Sequence, residues 1–310
     1  MELLVTGAWR DAKEYIGEIE ARGHRVHFLQ FEREELPCSP DIIEGVICNG
    51  LFLYHNISNF TNLRYIQLLS AGYDRVPMEY ISQHNIKIFN AGDVYSIPMS
   101  EFAIAGVLDF YKGMNRFREN QELHKWEKQR DLVELYGKTV CIFGCGNVGC
   151  ACAKMFSVFG AHVIGVKKTI LKKEARILFF KNGFEKICAI EEKETVLNYI
   201  HQSDVILSAL PLTAMTHHFF NSEIFSIMKK NALFINISRG GVVETDALIN
   251  ALNERKIAGA FLDVFDDEPL NKNSELWDIE NIILTPHNSY VGDGNKKRLL
   301  AMILRNIEGF

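Results

Sequence analysis

Thr139-Val140-Cys141-Ile142-Phe143 runs directly into Gly144-Cys145-Gly146-Asn147-Val148-Gly149, and this junction sets the architecture of the chain. The first five residues form a short β-branched and apolar run, the pattern of a buried strand. The next six match G-x-G-x-x-G, and a helical pattern follows through about Phe159. Strand, glycine loop and helix in that order are the signature of a dinucleotide site. Gly144 permits the tight turn, Gly146 lets the backbone approach a pyrophosphate, and Gly149 allows the helix to lie close to the strand. The free N–H groups of Asn147, Val148 and Gly149 then face the anion at the helix start, with Cys145 between the glycines. A tight glycine turn without a ligand is the plainer alternative.

The next strand, His162–Val166, leads to the position that reads the adenosine ribose. An Asp or Glu there bonds the 2′-hydroxyl of NAD. This chain has Lys167, Lys168 and Thr169 instead. Two ammonium groups suit a 2′-phosphate, so NADP(H) is favoured over NAD(H). The lysines also fit a solvated turn, continued by Lys172, Lys173 and Arg176.

Away from this junction, short apolar runs alternate with helical patterns over nearly all 310 residues. Strands are predicted at Leu3–Thr6, Arg25–Leu29, Gly45–Cys48, Tyr65–Leu69 and Lys87–Phe89. A second series is predicted at Thr139–Phe143, His162–Val166, Val205–Leu210, Ala232–Ile237, Gly259–Val264 and Ile282–Leu284. The nearly continuous apolar runs mark parallel strands covered on both faces. The length suggests two domains, at roughly 150 residues each. One long helix, from about Pro98 to Gln129, is expected to connect them, and Asn295–Ile307 is expected to form the last helix. No internal repeat or low-complexity segment is present.

Composition excludes several classes. Lys and Arg number 34 against 39 Asp and Glu, a net charge of −5, which fits neither a basic nucleic-acid binder nor a polybasic membrane anchor. Apolar runs such as Phe102–Leu108 are too short for a membrane span. The start, Met1 to Gly7, reads as a strand rather than a secretion signal, so a cytoplasmic address is expected. Seven cysteines, several inside apolar runs, do not read as a disulfide framework. Cys141, Cys145, Cys150 and Cys152 lack the Cys-x-x-Cys gap of a zinc site and read as small packing residues, so no metal is expected.

Three polar residues fall just after strands of the second series. Arg239 follows Ile235-Asn236-Ile237-Ser238, Glu268 follows Asp263-Val264-Phe265-Asp266-Asp267, and His287 follows Leu284-Thr285-Pro286. Ligands of open α/β sheets bind outside the carboxyl ends of strands. An Arg, a Glu and a His delivered there form an acid–base and anion-binding set. Taken singly, Arg239 also fits a surface ion pair, His287 a loop cap and Glu268 a turn residue before Pro269. The adjacent His217 and His218 read as helix-entry or packing residues.

With these motifs in place, the chain resembles the D-isomer-specific 2-hydroxyacid dehydrogenases. The resemblance runs through Ser70-Ala71-Gly72-Tyr73-Asp74, Ser100-Glu101, the glycine loop and Leu210-Pro211-Leu212-Thr213 with Thr216. It continues through Asn236-Ile237-Ser238-Arg239-Gly240, Asp263-Val264 with Glu268-Pro269, and Thr285-Pro286-His287. It implies two doubly wound parallel-sheet α/β domains with the active site in a cleft: a flavodoxin-like substrate domain (1–95 plus 288–310) and a Rossmann cofactor domain (96–287). It implies a homodimer formed through the cofactor domain. The expected reaction is reduction of a small 2-keto acid, of glyoxylate or hydroxypyruvate type, or its reverse. His287 is the expected acid–base, charged more readily beside Glu268. Arg239 is expected to clamp the substrate carboxylate and polarise the carbonyl. Ser70, Ala71 and Gly72 are expected to hold the carboxylate through backbone N–H groups. Leu210, Pro211, Thr216, Ile237, Ser238, Asp263 and Ser96 join the glycine loop and the lysines as expected cofactor residues. Tyr54 and Tyr73 are expected to line a modest pocket.

Two features depart from the family pattern. The acidic ribose reader is missing. The chain also ends at Phe310, soon after the last helix, so the regulatory extension and serine control of some phosphoglycerate dehydrogenases are not expected. A dinucleotide-sensing corepressor on the same fold, with negligible turnover, is the alternative. A methyltransferase is a third reading, disfavoured by the two sheets and the His287–Glu268 set.

Overall fold

A computed structural model describes residues 1–169 and 180–310; Lys172, Lys173 and Arg176 lie outside them. The described residues divide into two compact units, Met1–Tyr95 with Gly292–Phe310, and Ser96–Val291. Among them no helix is long and apolar enough to cross a membrane.

The first unit holds strands β1 (Glu2–Thr6), β2 (Arg25–Leu29), β3 (Gly45–Cys48), β4 (Tyr65–Leu68) and β5 (Lys87–Phe89). They form one parallel sheet in the order β2-β1-β3-β4-β5. Successive side chains point to opposite faces, so an unbroken apolar strand feeds two cores. Leu3 and Val5 pack with Trp9, Ile47 and Tyr65 against Met302, Ile303 and Ile307 of the helix Asn295–Ile307. Leu4, Val46, Ile66 and Leu68 pack on the other side with Leu51, Ile57 and Phe60. Each such side chain stabilises the fold by about 1.5–3 kcal/mol.

The second unit holds β6 (Thr139–Phe143), β7 (His162–Lys167), β8 (Lys186–Ala189), β9 (Val205–Ser208), β10 (Leu233–Asn236), β11 (Gly259–Leu262) and β12 (Ile282–Leu284). These lie parallel in the order β12-β11-β10-β9-β6-β7-β8. The order reverses between β6 and β9, so the loops leaving those strands diverge to opposite sides. Val140, Ile142, Val205, Leu207 and Ile235 bury one face, and Cys141, Phe143, Ile206 and Phe234 the other.

Several elements differ from the sequence expectation. The single helix from Pro98 to Gln129 is two helices, Ser96–Lys112 and Met114–Glu122. Gly113 between them is left-handed, with φ +59°, and breaks the ladder. Strand β8 was not expected, because Lys186 and Ala189 dilute its short apolar pattern. Strands β9, β10 and β11 end one or two residues early, since Ala209-Leu210, Ile237 and Asp263-Val264 turn away from the ladder. Residues 288–291, expected with the first unit, group with the second. The reason is local: the N–H groups of Asn288 and Ser289 donate to Asp263.

Candidate active site

The glycine loop leaves β6 at the sheet's switch point. Gly144 adopts φ +98°, and a Cβ there would lie 2.4 Å from the Ala209 carbonyl oxygen. A Cβ on Gly149 would lie 1.9 Å from the carbonyl oxygen of Gly144, so the helix Asn147–Val158 sits this close to the strand only with glycine at both places. Gly146 differs, because its Cβ would meet nothing within 4 Å. Open space over Gly146, beside a helix start that no side chain caps, is a cradle of the kind a pyrophosphate fills. Cys145 is buried inside the loop, and burial pushes its thiol up to about 12, so it packs rather than reacts. The Lys167 ammonium is close enough to offset part of that shift at both Cys145 and Cys150. Lys167 at the end of β7 is half-buried, and Lys168 is exposed.

Two polar turns frame the sheet's carboxyl edge. In the first, the Asn236 side chain nets the turn that carries Arg239. Its Oδ1 accepts from the Ser238 N–H (3.1 Å) and Oγ (2.8 Å), and its Nδ2 donates to the Arg239 carbonyl (2.9 Å). Ser238 Oγ also meets Ser208 Oγ at 2.9 Å. Arg239 itself is half-buried, and its Nη1 donates to the Ser238 carbonyl at 2.8 Å. Asn236 and Ser208 had no role in the sequence reading. An Asn at a strand end, three residues before the charged residue it serves, is the signal that was available.

In the second turn, His287 Nδ1 lies 2.7 Å from Glu268 Oε2, and Glu268 Oε1 accepts the Phe265 N–H at 3.0 Å. Nineteen positions apart in sequence, these two side chains are brought together as expected. Each is about a third exposed. A proton on Nδ1 suits the carboxylate beside it and leaves Nε2 outside this pair. The backbone of His287 is left-handed, φ +49°, which non-glycine residues rarely adopt.

The remaining expected residues are placed as follows. Thr216 Oγ1 accepts from the Thr213 N–H (2.8 Å) and donates to the Pro211 carbonyl (2.6 Å), closing the loop after Leu210. Leu210 and Ile237 are buried and Pro211 is exposed. Ser96 is 5% exposed, and its Oγ has no hydrogen-bond partner among the described residues. Asp263, expected among the cofactor residues, is fully buried and bonded to the loop that carries His287. His217 and His218 neither enter a helix nor pack inside. They are exposed and stacked on each other, and the next helix starts at Ser222. In the first unit, Ser70 Oγ donates to the Gly72 carbonyl and Asn90 Nδ2 to the Ala71 carbonyl. Those bonds shape the turn and leave the Ala71 and Gly72 N–H groups without partners among the described residues. Tyr54 and Tyr73 are exposed. Among the described residues, no three His, Cys, Asp or Glu side chains are grouped to hold a metal ion.

Residues 104–289 match the family model for the D-isomer specific 2-hydroxyacid dehydrogenase NAD-binding domain. The chain is 33% identical over 261 residues to a glyoxylate reductase of Pyrococcus horikoshii, covering 81% of this chain and 74% of that one. The fold is shared with an Aquifex aeolicus D-lactate dehydrogenase solved with NAD and lactic acid (22% identity, TM-score 0.78, covering 100% and 95% of the two chains). It is shared also with an NADPH-dependent glyoxylate/hydroxypyruvate reductase of Sinorhizobium meliloti (21%, TM-score 0.79, 99% and 94%). A dinucleotide loop at the switch point, an Arg, Glu and His at the carboxyl edge, and a family match over most of the second unit agree: this chain belongs to the D-isomer specific 2-hydroxyacid dehydrogenases.

Proposed function

We propose that the protein reduces a small 2-keto acid, of the glyoxylate or hydroxypyruvate type, to the D-2-hydroxy acid with NADP(H), and that His287 delivers the proton. The observation that carries this reading is the anchored His287–Glu268 pair, with Nε2 left available. The Gly144–Gly149 loop would hold the pyrophosphate of a reduced nicotinamide dinucleotide, which would supply the hydride to the carbonyl carbon. As charge gathers on the carbonyl oxygen, His287 Nε2–H meets it with a hydrogen bond and gives up its proton. Glu268 fixes the ring through Nδ1 and balances the imidazolium charge, and the Phe265 N–H fixes Glu268 in turn. Arg239 binds the substrate carboxylate with its planar fork and polarises the carbonyl. Ala71 and Gly72 offer their N–H groups to a carboxylate. In reverse, neutral His287 takes the hydroxyl proton at Nε2.

Lys167 and Lys168 support the choice of NADP(H), since they stand where a ribose-reading carboxylate would repel a 2′-phosphate. The second unit also exposes Leu123, Trp126, Tyr136, Val158 and Phe159, with Tyr136 lying over Gly160 beside the last two. Trp126 is 97% exposed. Exposed apolar side chains of this kind suit contact with a protein partner, and a second copy of the chain is the partner we infer.

The test crosses NADH and NADPH with glyoxylate, hydroxypyruvate, pyruvate, phenylpyruvate and 3-phosphohydroxypyruvate, following nicotinamide absorbance. Turnover of a small keto acid with NADPH supports the proposal. Dinucleotide binding with no turnover across the panel would replace it with the sensing role.

A further inference from the structure

Asp263 follows β11 and is fully buried. Its Oδ1 accepts from Thr285 Oγ1 at 2.6 Å and from the Asn288 N–H at 2.7 Å. Its Oδ2 accepts the Ser289 N–H at 2.9 Å, and its main-chain carbonyl accepts the His287 N–H at 2.8 Å. One residue therefore takes up four donors from the segment 285–289, on both sides of the imidazole and at its own backbone. That segment holds His287 in a left-handed conformation, φ +49°, which the chain would otherwise leave. All three donors that reach the side chain arrive as N–H or O–H, and an ionised carboxylate is the acceptor-only group that satisfies every one of them.

We propose that Asp263 is a positioning residue that sets the angle and depth at which His287 is presented. This rests on His287 being the proton donor. The side-chain bonds of Asp263 go to the loop that carries His287.

The test uses the full-length protein and Asp263→Asn, which keeps the size but turns an N–H toward one of the three donors. Thr285→Val removes one donor and leaves Asp263 intact, and Thr285→Ser restores the hydroxyl. Three readouts are taken: dinucleotide Kd by fluorescence, kcat and KM for the keto acid, and the downfield NMR signal of the His287 Nδ1 proton in the resting protein. For Asp263→Asn we expect kcat to fall about 100-fold, the scale of a small misplacement of a reacting group, with Kd and KM within about threefold. The Nδ1 proton signal should shift or vanish. Thr285→Val should move kcat the same way by less, and Thr285→Ser should recover it. Loss of dinucleotide affinity with kcat kept at saturation would overturn the proposal and return Asp263 to the cofactor. An unmoved proton signal with unchanged kcat would overturn it as well. If Asp263→Asn does not fold, the Thr285 pair decides the matter. The NMR readout needs no substrate, so absence of keto-acid turnover in the parent protein would defeat the proposed reaction, while the Nδ1 proton signal would still report whether Asp263 and Thr285 hold His287 in place.

Discussion

At the level of single residues, the proposed chemistry turns on the nitrogen of His287 that its pairing with Glu268 leaves over. The Glu268 carboxylate holds Nδ1, and the Phe265 N–H holds Glu268, so the imidazole has one orientation to offer. His287→Ala should lower kcat by about 10²–10⁴-fold, the usual worth of a placed acid–base group, and leave the dinucleotide Kd nearly unchanged. Single-turnover kinetics and fluorescence titration check both halves, and retained turnover would remove His287 from the acid role. Arg239 makes a different prediction. Its turn is netted by Asn236, so truncation should leave the fold intact. Arg239→Ala should raise KM, because a carboxylate clamp already acts in the ground state, and lower kcat, because polarisation of the carbonyl strengthens in the transition state. Unchanged KM would exclude the clamp.

Among elements, the glycine loop separates two requirements that one motif combines. Gly149 is demanded by the fold, since a Cβ there collides with Gly144, whereas the space over Gly146 is open. Gly149→Ala should therefore lower the melting temperature of the ligand-free protein. Gly146→Ala should melt like the parent yet lose dinucleotide affinity by an order of magnitude or more. Calorimetry beside a binding titration distinguishes them, and equal affinity in Gly146→Ala would place the pyrophosphate elsewhere. The proposed preference for NADP(H) rests on the end of β7. Lys167→Asp should move the kcat/KM ratio from NADPH toward NADH, by the removal of an attraction and the addition of a repulsion. A ratio that stays put would mean that the lysine is only part of a solvated turn.

For the whole molecule, the two units are built alike. Each is a parallel sheet whose unbroken apolar strands feed a core on either face. Elements of the second unit also leave Trp126, Tyr136 and Val158 facing solvent. Trp126→Glu with Val158→Glu should turn a dimer into a monomer in sedimentation velocity without changing the far-UV spectrum. A parent protein that sediments as a monomer would dispose of the inferred self-association.

Much of this was legible in the residues alone. Strands β2, β3, β5, β6 and β12 and the last helix have the bounds that their periodicity indicates. The reason is that pleat, helical period and glycine conformation act within a few residues. The order in which Arg239, Glu268 and His287 follow their strands was readable for the same reason. Local pattern failed at Gly113, where one glycine splits a continuous helical signal, and at β8, where the pattern is short and dilute. It failed also for the partners of Asp263, which are chosen by the packing of the carboxyl edge. Asp263 is 22 residues from Thr285, and no period or motif links the two. That pairing exists because β11 and β12 run side by side in the sheet, and contacts between neighbouring strand ends belong to the assembled sheet rather than to either stretch of sequence.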